Sequence, residues 1–173
     1  MHAPLPSLSL RQATTDDEIA RVRAIAEATW PHCYKGIIPE SQITYMIGWM
    51  YNAETIREQT AKGTPFFLVR ADGSDCGLVS FDTVPSPADG SCELHKIYTL
   101  PECWGRGIGR WILGEVCRRV REAGASSVWL RVNKNNLRAQ KAYRAAGFEN
   151  VESVCTDIGS GFVMDDYVYR RTF

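Results

Sequence analysis

The stretch PECWGRGIGRW, residues 101–111, places Gly105, Gly107 and Gly109 at alternating positions just before an apolar run of helical spacing. Glycines leave the backbone bare, and amides converging at a helix start favour an anion, most often a phosphate. The helix dipole adds about 0.3–1 kcal/mol per exposed charge. Arg106 and Arg110 can add charge-assisted bonds to such a group. Two common phosphate chemistries do not fit. No lysine–serine pair follows the loop, as nucleotide hydrolysis would want. The third glycine comes two residues after the second rather than three, and no acidic strand end follows about twenty residues on, as a dinucleotide fold would want. A tight turn alone needs fewer glycines than this. A pyrophosphate would suit the loop.

A second stretch gives the loop its context. LHKIYTLPECWGRGIGRWIL, followed after a helix and a strand by VNKNNLRAQKAYRAAGF, resembles the GNAT superfamily of acyl-CoA-dependent N-acetyltransferases. That family's loop reads Q/R-x-x-G-x-G/A and its later segment N-x-x-A-x-x-x-Y-x-x-x-G-F. Asn136, Ala139, Tyr143, Gly147 and Phe148 match the second pattern, while Trp104 stands where the first has Gln or Arg.

The resemblance implies acetyl-CoA as co-substrate and no metal. Its pyrophosphate would lie on the backbone of Gly105, Arg106, Gly107, Ile108, Gly109 and Arg110, with Trp104 beside it. The strand before the loop, at Ile97, Tyr98 and Thr99, would offer its edge to the peptide-like pantetheine, one N–H polarising the acetyl carbonyl. Ala139 would let that arm pass close to its helix, and Asn136 would bond either the cofactor or its own helix start. Tyr143 holds the position of a general acid for the departing thiolate. The incoming amine, with a pKa of about 10.4 for a lysine-like group, must first lose a proton. Strand alternation puts Glu93, His95, Ile97 and Thr99 on one face, with Lys96 and Tyr98 turned away as structural residues. Glu93 matches a catalytic glutamate of several members, and His95 is of the type that titrates nearest neutrality. Either of them, or a water chain, can be the base.

These residues need elements to position them. SLSLRQA alternates as a strand, and a helix follows from Thr15, which with Glu18 makes a capping box, to Pro31, which should end it. Residues 36–62 read as two helices parted near Asn52, where Tyr45 and Trp49 suit either core packing or a pocket wall. Together with Trp30, His32 and Tyr34 they are the candidates for an aromatic wall around a cationic amine. From residue 65 the period falls to two, and three strands joined by short turns form an antiparallel meander ending at the glycine loop. Ile108, Ile112, Val116 and Val120 then mark an amphipathic helix that stops at Gly124. SVWLRV is a strand; Ala139, Ala142, Tyr143 and Ala146 share one face of the next helix; strands over 149–156 and 162–170 close the chain. The element order gives a single mixed α/β domain over 1–173, and the resemblance implies the GNAT fold, a mostly antiparallel seven-stranded sheet flanked by helices.

Composition sets the limits. A chain of 173 residues buries one full core but hardly two. Twenty basic residues balance twenty acidic ones, so no global charge asks for nucleic acid, although Arg106, Arg110, Arg118, Arg119 and Arg121 form a local basic cluster. The six cysteines show no C-x-x-C spacing and none sits in either motif, which disfavours an acetyl-cysteine route. No apolar run is long enough for a membrane span and MHAPLPSLSL lacks the parts of a leader, so a cytoplasmic, reduced protein is expected. A homodimer is left open. The expected function is transfer of the acetyl group of acetyl-CoA to a small primary amine such as a polyamine, by direct attack in a ternary complex. A protein N-terminal or lysine acetyltransferase is the alternative within enzymes, and a non-catalytic acyl-CoA-binding sensor module the alternative outside them.

Overall fold

The computed structural model describes residues 6–173, so the opening stretch weighed as a leader lies partly outside it. The chain runs β1 (Leu8–Gln12), α1 (Asp16–Cys33), α2 (Glu40–Met50), α3 (Ala53–Ala61), β2 (Phe66–Ala71), β3 (Ser74–Phe81) and β4 (Ser91–Thr99). It continues through a 3-10 turn (Pro101–Cys103) to α4 (Ile108–Glu122), β5 (Ser127–Asn133), α5 (Leu137–Ala145), β6 (Glu149–Gly159) and β7 (Phe162–Thr172). The strands make one seven-stranded sheet in the order β1-β2-β3-β4-β5-β7-β6. Every neighbouring pair is antiparallel except β4–β5. This is the mixed, mostly antiparallel sheet with flanking helices that the sequence predicts.

Local chemistry accounts for the element ends. The Glu18 amide donates to Thr15 Oγ1 at 3.2 Å and the Thr15 amide to Glu18 Oε2 at 3.1 Å, closing the capping box that starts α1. Hydrogen bonds from the Thr14 and Thr15 amides hold the Glu18 carboxyl down at about 2. Pro31 does not end α1 as expected, because a proline removes only its own donor. The helix runs on to Cys33, and the Tyr34 amide still reaches the Trp30 carbonyl at 3.0 Å. Asn52 caps α3 by accepting from the Thr55 amide at 2.9 Å. Strands β6 and β7 are longer than predicted, meeting at a tight turn at Ser160 and Gly161, both with positive φ.

The sheet divides the core. One cluster packs α4 against one face through Ile108, Ile112, Val116 and Val120, all buried. The other packs α1 to α3 against the opposite face through Val22, Ile25, Ile47 and Ile56. Truncating any of the isoleucines to Ala should cost about 2–5 kcal/mol.

Two departures from regularity shape the site. Strands β4 and β5 pair only from Ser91–Leu94 to Ser127–Leu130; beyond that both run on without pairing to each other, so the sheet opens as a wedge. On the other side of β4, Ser80 pairs with Lys96 but Phe81 with Leu94, which leaves His95 as the extra residue of a bulge.

Candidate active site

The bulge overturns the expected single face of Glu93, His95, Ile97 and Thr99. An extra residue shifts the two-residue period by one, so Glu93 ahead of it shares a face with Lys96 and Tyr98 behind it. Leu94 and Ile97 face the α4 side instead, and His95 borders both sides. Lys96 and Tyr98 are therefore not turned away from the site, as the alternation had implied.

Two cavities flank this part of β4. The larger, about 470 Å³, fills the wedge between β4, β5, α4 and α5. The smaller, about 330 Å³, lies between β4, β5, β7 and the helices α1 and α2. Tyr34, His95, Tyr98 and Arg131 line both, and so mark where the two meet.

The larger cavity suits the carrier implied by the glycine loop. Gly105 and Gly107 both have φ +76, a conformation that side chains resist, and a Cβ on Gly105, Gly107 or Gly109 would meet no atom within 4 Å. Gly107 caps α4 without a side-chain bond, and the first helical bond is donated by Trp111 to the Gly107 carbonyl at 3.1 Å. The amides of Ile108, Gly109 and Arg110 are consequently left for an anion. Of the basic cluster, Arg118 and Arg119 are tied to Glu115 and Glu122, whereas Arg106 and Arg110 stand by the loop.

The strand edge is also suitable, with one correction. A Cβ on Gly77 would lie 2.4 Å from the Tyr98 carbonyl, and the Leu100 amide donates to the Cys76 carbonyl at 2.9 Å, so Tyr98 and Leu100 direct their backbone toward β3. By alternation Ile97 and Thr99 direct theirs into the wedge. Of the three positions only Ile97, and Thr99 through its amide, offer backbone to a ligand there; Tyr98 contributes its side chain. The Trp104 indole N–H takes the Thr99 carbonyl at 2.9 Å, and the Arg138 guanidinium lies 3.8 Å from the Trp104 ring centroid. The aromatic side chain at the position of Gln or Arg thus pins the loop to the strand.

Across the wedge, Ala139 and Ala142 of α5 line the cavity with Tyr143. Asn136 is committed to capping: its Oδ1 accepts the Ala139 amide at 3.2 Å. Burial raises the Tyr143 phenol, so it holds its proton, and its hydroxyl makes no hydrogen bond to the described residues. Cys33 also borders this cavity, with its thiol raised by burial, which disfavours the thiolate a covalent route would need.

The five aromatic-wall candidates separate. Trp30 and Tyr34 line the smaller cavity, their rings 4.7 Å apart, and the Tyr34 hydroxyl meets that of Tyr98 at 2.8 Å. His32 lies instead in the larger cavity, 6.4 Å from the Trp104 ring. Tyr45 and Trp49 line neither. Tyr45 donates to the Ile158 carbonyl at 2.8 Å and packs on Phe162, while Trp49 is 47% exposed. Helical phase explains this, since the adjoining face of α2 (Gln42, Met46, Met50) is the one that enters the cavity.

Around the junction, His95 is held by a residue that sequence reasoning missed. Its Nε2 lies 2.8 Å from Asp82 Oδ1, and Asp82 also accepts from Thr64 Oγ1 and the Glu93 amide. Burial pushes the Asp82 carboxyl up, but these bonds outweigh it and its pKa lies below the usual value. A carboxylate on Nε2 favours the tautomer protonated there, leaving Nδ1 as acceptor, 3.6 Å from Glu93 Oε1. Burial raises the Glu93 carboxyl, opposed in part by His95 and Arg131. Lys96, over the Phe66 ring at 5.4 Å, is lowered by burial to about 8. Also missed was Asp166 on β7, a buried carboxylate in the smaller cavity. A lone aspartate in a strand carries no motif; only β7's alternation, with Asp165 facing out and Asp166 in, could have flagged it.

Known proteins place this arrangement. The sequence model of the Acetyltransferase (GNAT) family matches residues 22–148. An uncharacterized N-acetyltransferase of Mycobacterium tuberculosis is 30% identical over 137 residues, covering 79% of this chain and 84% of that one. A spermidine N(1)-acetyltransferase of Thermoplasma acidophilum is 27% identical over 164 residues, covering 92% and 96%. The crystal structure of the PaiA N-acetyltransferase of Thermoplasma acidophilum in complex with coenzyme A has the same fold, with a TM-score of 0.78 at 22% identity over 96% of this chain and 99% of that one. With its glycine loop, open strand edge and α5 run in register, the chain belongs to the GNAT family and is an acetyl-CoA-dependent N-acetyltransferase.

Proposed function

We propose that the chain acetylates a small primary amine, with polyamines the foremost class, by direct attack in a ternary complex. The observation that carries this reading is the pair of cavities meeting at His95, Tyr34, Tyr98 and Arg131. The carrier and the acceptor can then be bound together, each on its own side of β4. At about 330 Å³ the acceptor side sits at the small end of ligand pockets, roughly 300–1,000 Å³, and suits a small molecule better than a protein surface. The likeness to a spermidine N(1)-acetyltransferase supports the same class.

Acetyl-CoA supplies the activated acetyl group and leaves as the thiol. The amides of Ile108, Gly109 and Arg110 hold its pyrophosphate, and the Ile97 and Thr99 edge aligns its arm. His95 Nδ1, kept free by Asp82 on Nε2, takes the proton of the incoming amine, and Glu93 beside it stabilises the imidazolium that forms. Tyr143, kept protonated by burial, gives a proton to the departing sulfur.

The test is thiol release from acetyl-CoA against polyamines, amino acids, aminoglycosides and peptide N-termini. Turnover with small amines, polyamines foremost, is expected; release with peptides alone would overturn the reading in favour of a protein acetyltransferase.

A further inference from the structure

Strand alternation splits the two neighbouring aspartates of β7. Asp165 faces outward and pairs with Lys134 at 2.5 Å. Asp166 faces inward, only 4% exposed, in the acceptor cavity, and its Oδ2 has no hydrogen-bond partner among the described residues. No described cation is paired with it: Lys134 is bonded to Asp165, and Arg131, whose guanidinium lies over the Trp129 ring at 5.7 Å, only partly offsets its burial. A buried carboxylate oxygen without a donor is costly unless something entering the cavity supplies one.

Its position relative to the chemistry narrows what that donor is. Proton transfer and attack belong to the junction, bordered by Tyr34, His95, Tyr98 and Arg131. Asp166 and Glu93 both line the acceptor cavity, but Glu93 sits 3.6 Å from His95 Nδ1 whereas Asp166 is not paired with His95. The reacting nitrogen must be neutral when it attacks, and so cannot remain the ion-pair partner of a buried carboxylate such as Asp166. A second, unreacting ammonium keeps its charge and can. The same cavity is lined by aromatic and thioether side chains, Trp30, Tyr34, Tyr98, Met46 and Met164, which suit an alkyl chain carrying a cation.

We propose that Asp166 is the specificity anchor of the acceptor site, binding the distal ammonium of a diamine or polyamine while the proximal amine reacts at His95. This rests on the small-amine reading above. The probes are 1,4-diaminobutane and butylamine, which differ only in the distal ammonium, assayed with wild type and the isosteric Asp166→Asn. Wild type should prefer the diamine. In Asp166→Asn the diamine KM should rise roughly 10–100-fold, the loss typical of a charged hydrogen bond. Its kcat, the KM for acetyl-CoA and all butylamine constants should stay within about twofold. Equal losses for the two amines, or a fall in kcat instead of a rise in KM, would overturn the anchor. Calorimetric binding of both amines to the coenzyme A complex separates the two claims. Tighter diamine binding that is lost in Asp166→Asn, without acetyl transfer by wild type, upholds the anchor and overturns only the transfer reading. Equal binding of the two amines overturns the anchor, whatever is acetylated.

Discussion

The two cavities on either side of β4 are built by different means. The carrier side draws on backbone: it reaches the glycine loop at Gly109 and Arg110, where the amides at the start of α4 are unbonded, and includes an open strand edge and small alanines on α5. The acceptor side is made of side chains from α1, α2, β4, β5 and β7, with Glu93 and Asp166 as its carboxylates. In the proposed reading the backbone cradle recognises the pyrophosphate and peptide-like arm of the shared co-substrate. A side-chain cavity recognises what this chain in particular accepts. Substitutions on the two sides should therefore separate by the substrate whose constants they change.

The largest effect is expected at Tyr143, which in the proposed reaction serves the chemistry common to both. Tyr143→Phe should lower kcat by roughly 10²–10⁴ with little change in coenzyme A affinity by calorimetry. A mutant with unchanged turnover would take the general-acid role from it. On the carrier side, Gly107→Val forces a branched side chain into a left-handed conformation, about 1–3 kcal/mol of strain, and displaces the cradle amides. The KM for acetyl-CoA should rise roughly tenfold or more while the amine KM holds; a change confined to the amine would break the division between the sides.

On the acceptor side, Asp166 carries a stability signature. Burial raises its carboxyl from 3.8 to about 6, opposed in part by Arg131. Below pH 3.8 the group is neutral whether folded or unfolded. Between 3.8 and 6 the folded state keeps a proton that the unfolded state has lost, so stability falls as pH rises and the loss is complete above about 6. Asp166→Asn should thus melt higher than wild type at pH 8, by roughly 2–4 °C per kcal/mol in a chain of this size, and equal to it near pH 4. A variant less stable than wild type at pH 8 would contradict an unpartnered buried charge. The smallest effect is expected at Trp104, whose ring links the Thr99 carbonyl to Arg138. Trp104→Ala should raise the KM for acetyl-CoA about twofold to tenfold, and no change would limit the stack to loop packing.

The same contrast decides how much could be read from the sequence. The carrier side lies within one stretch from β4 to α5, so the glycines, Asn136, Ala139 and Tyr143 keep a fixed spacing and show as a pattern. The capping box and the four-residue repeat of α4 are equally local, and were legible for that reason. The acceptor side is not. Its residues come from elements as far apart as α1 and β7, and the bulge at His95 reverses which residues share a face with Glu93, which no pattern in SCELHKIYTL reveals. Asp82, lying beyond the end of β3, reaches His95 only through the pairing of β3 with β4. Tyr45 and Trp49 have the composition of a pocket wall and sit on the wrong face of their helix.

The central claim is that carrier and acceptor occupy adjoining cavities at the same time and that no enzyme side chain carries the acetyl group between them. Initial rates measured against acetyl-CoA at several fixed amine concentrations test it most directly. Intersecting double-reciprocal lines are predicted, as for a ternary complex. Parallel lines, with acetyl label retained on Cys33 after incubation with acetyl-CoA alone, would contradict it.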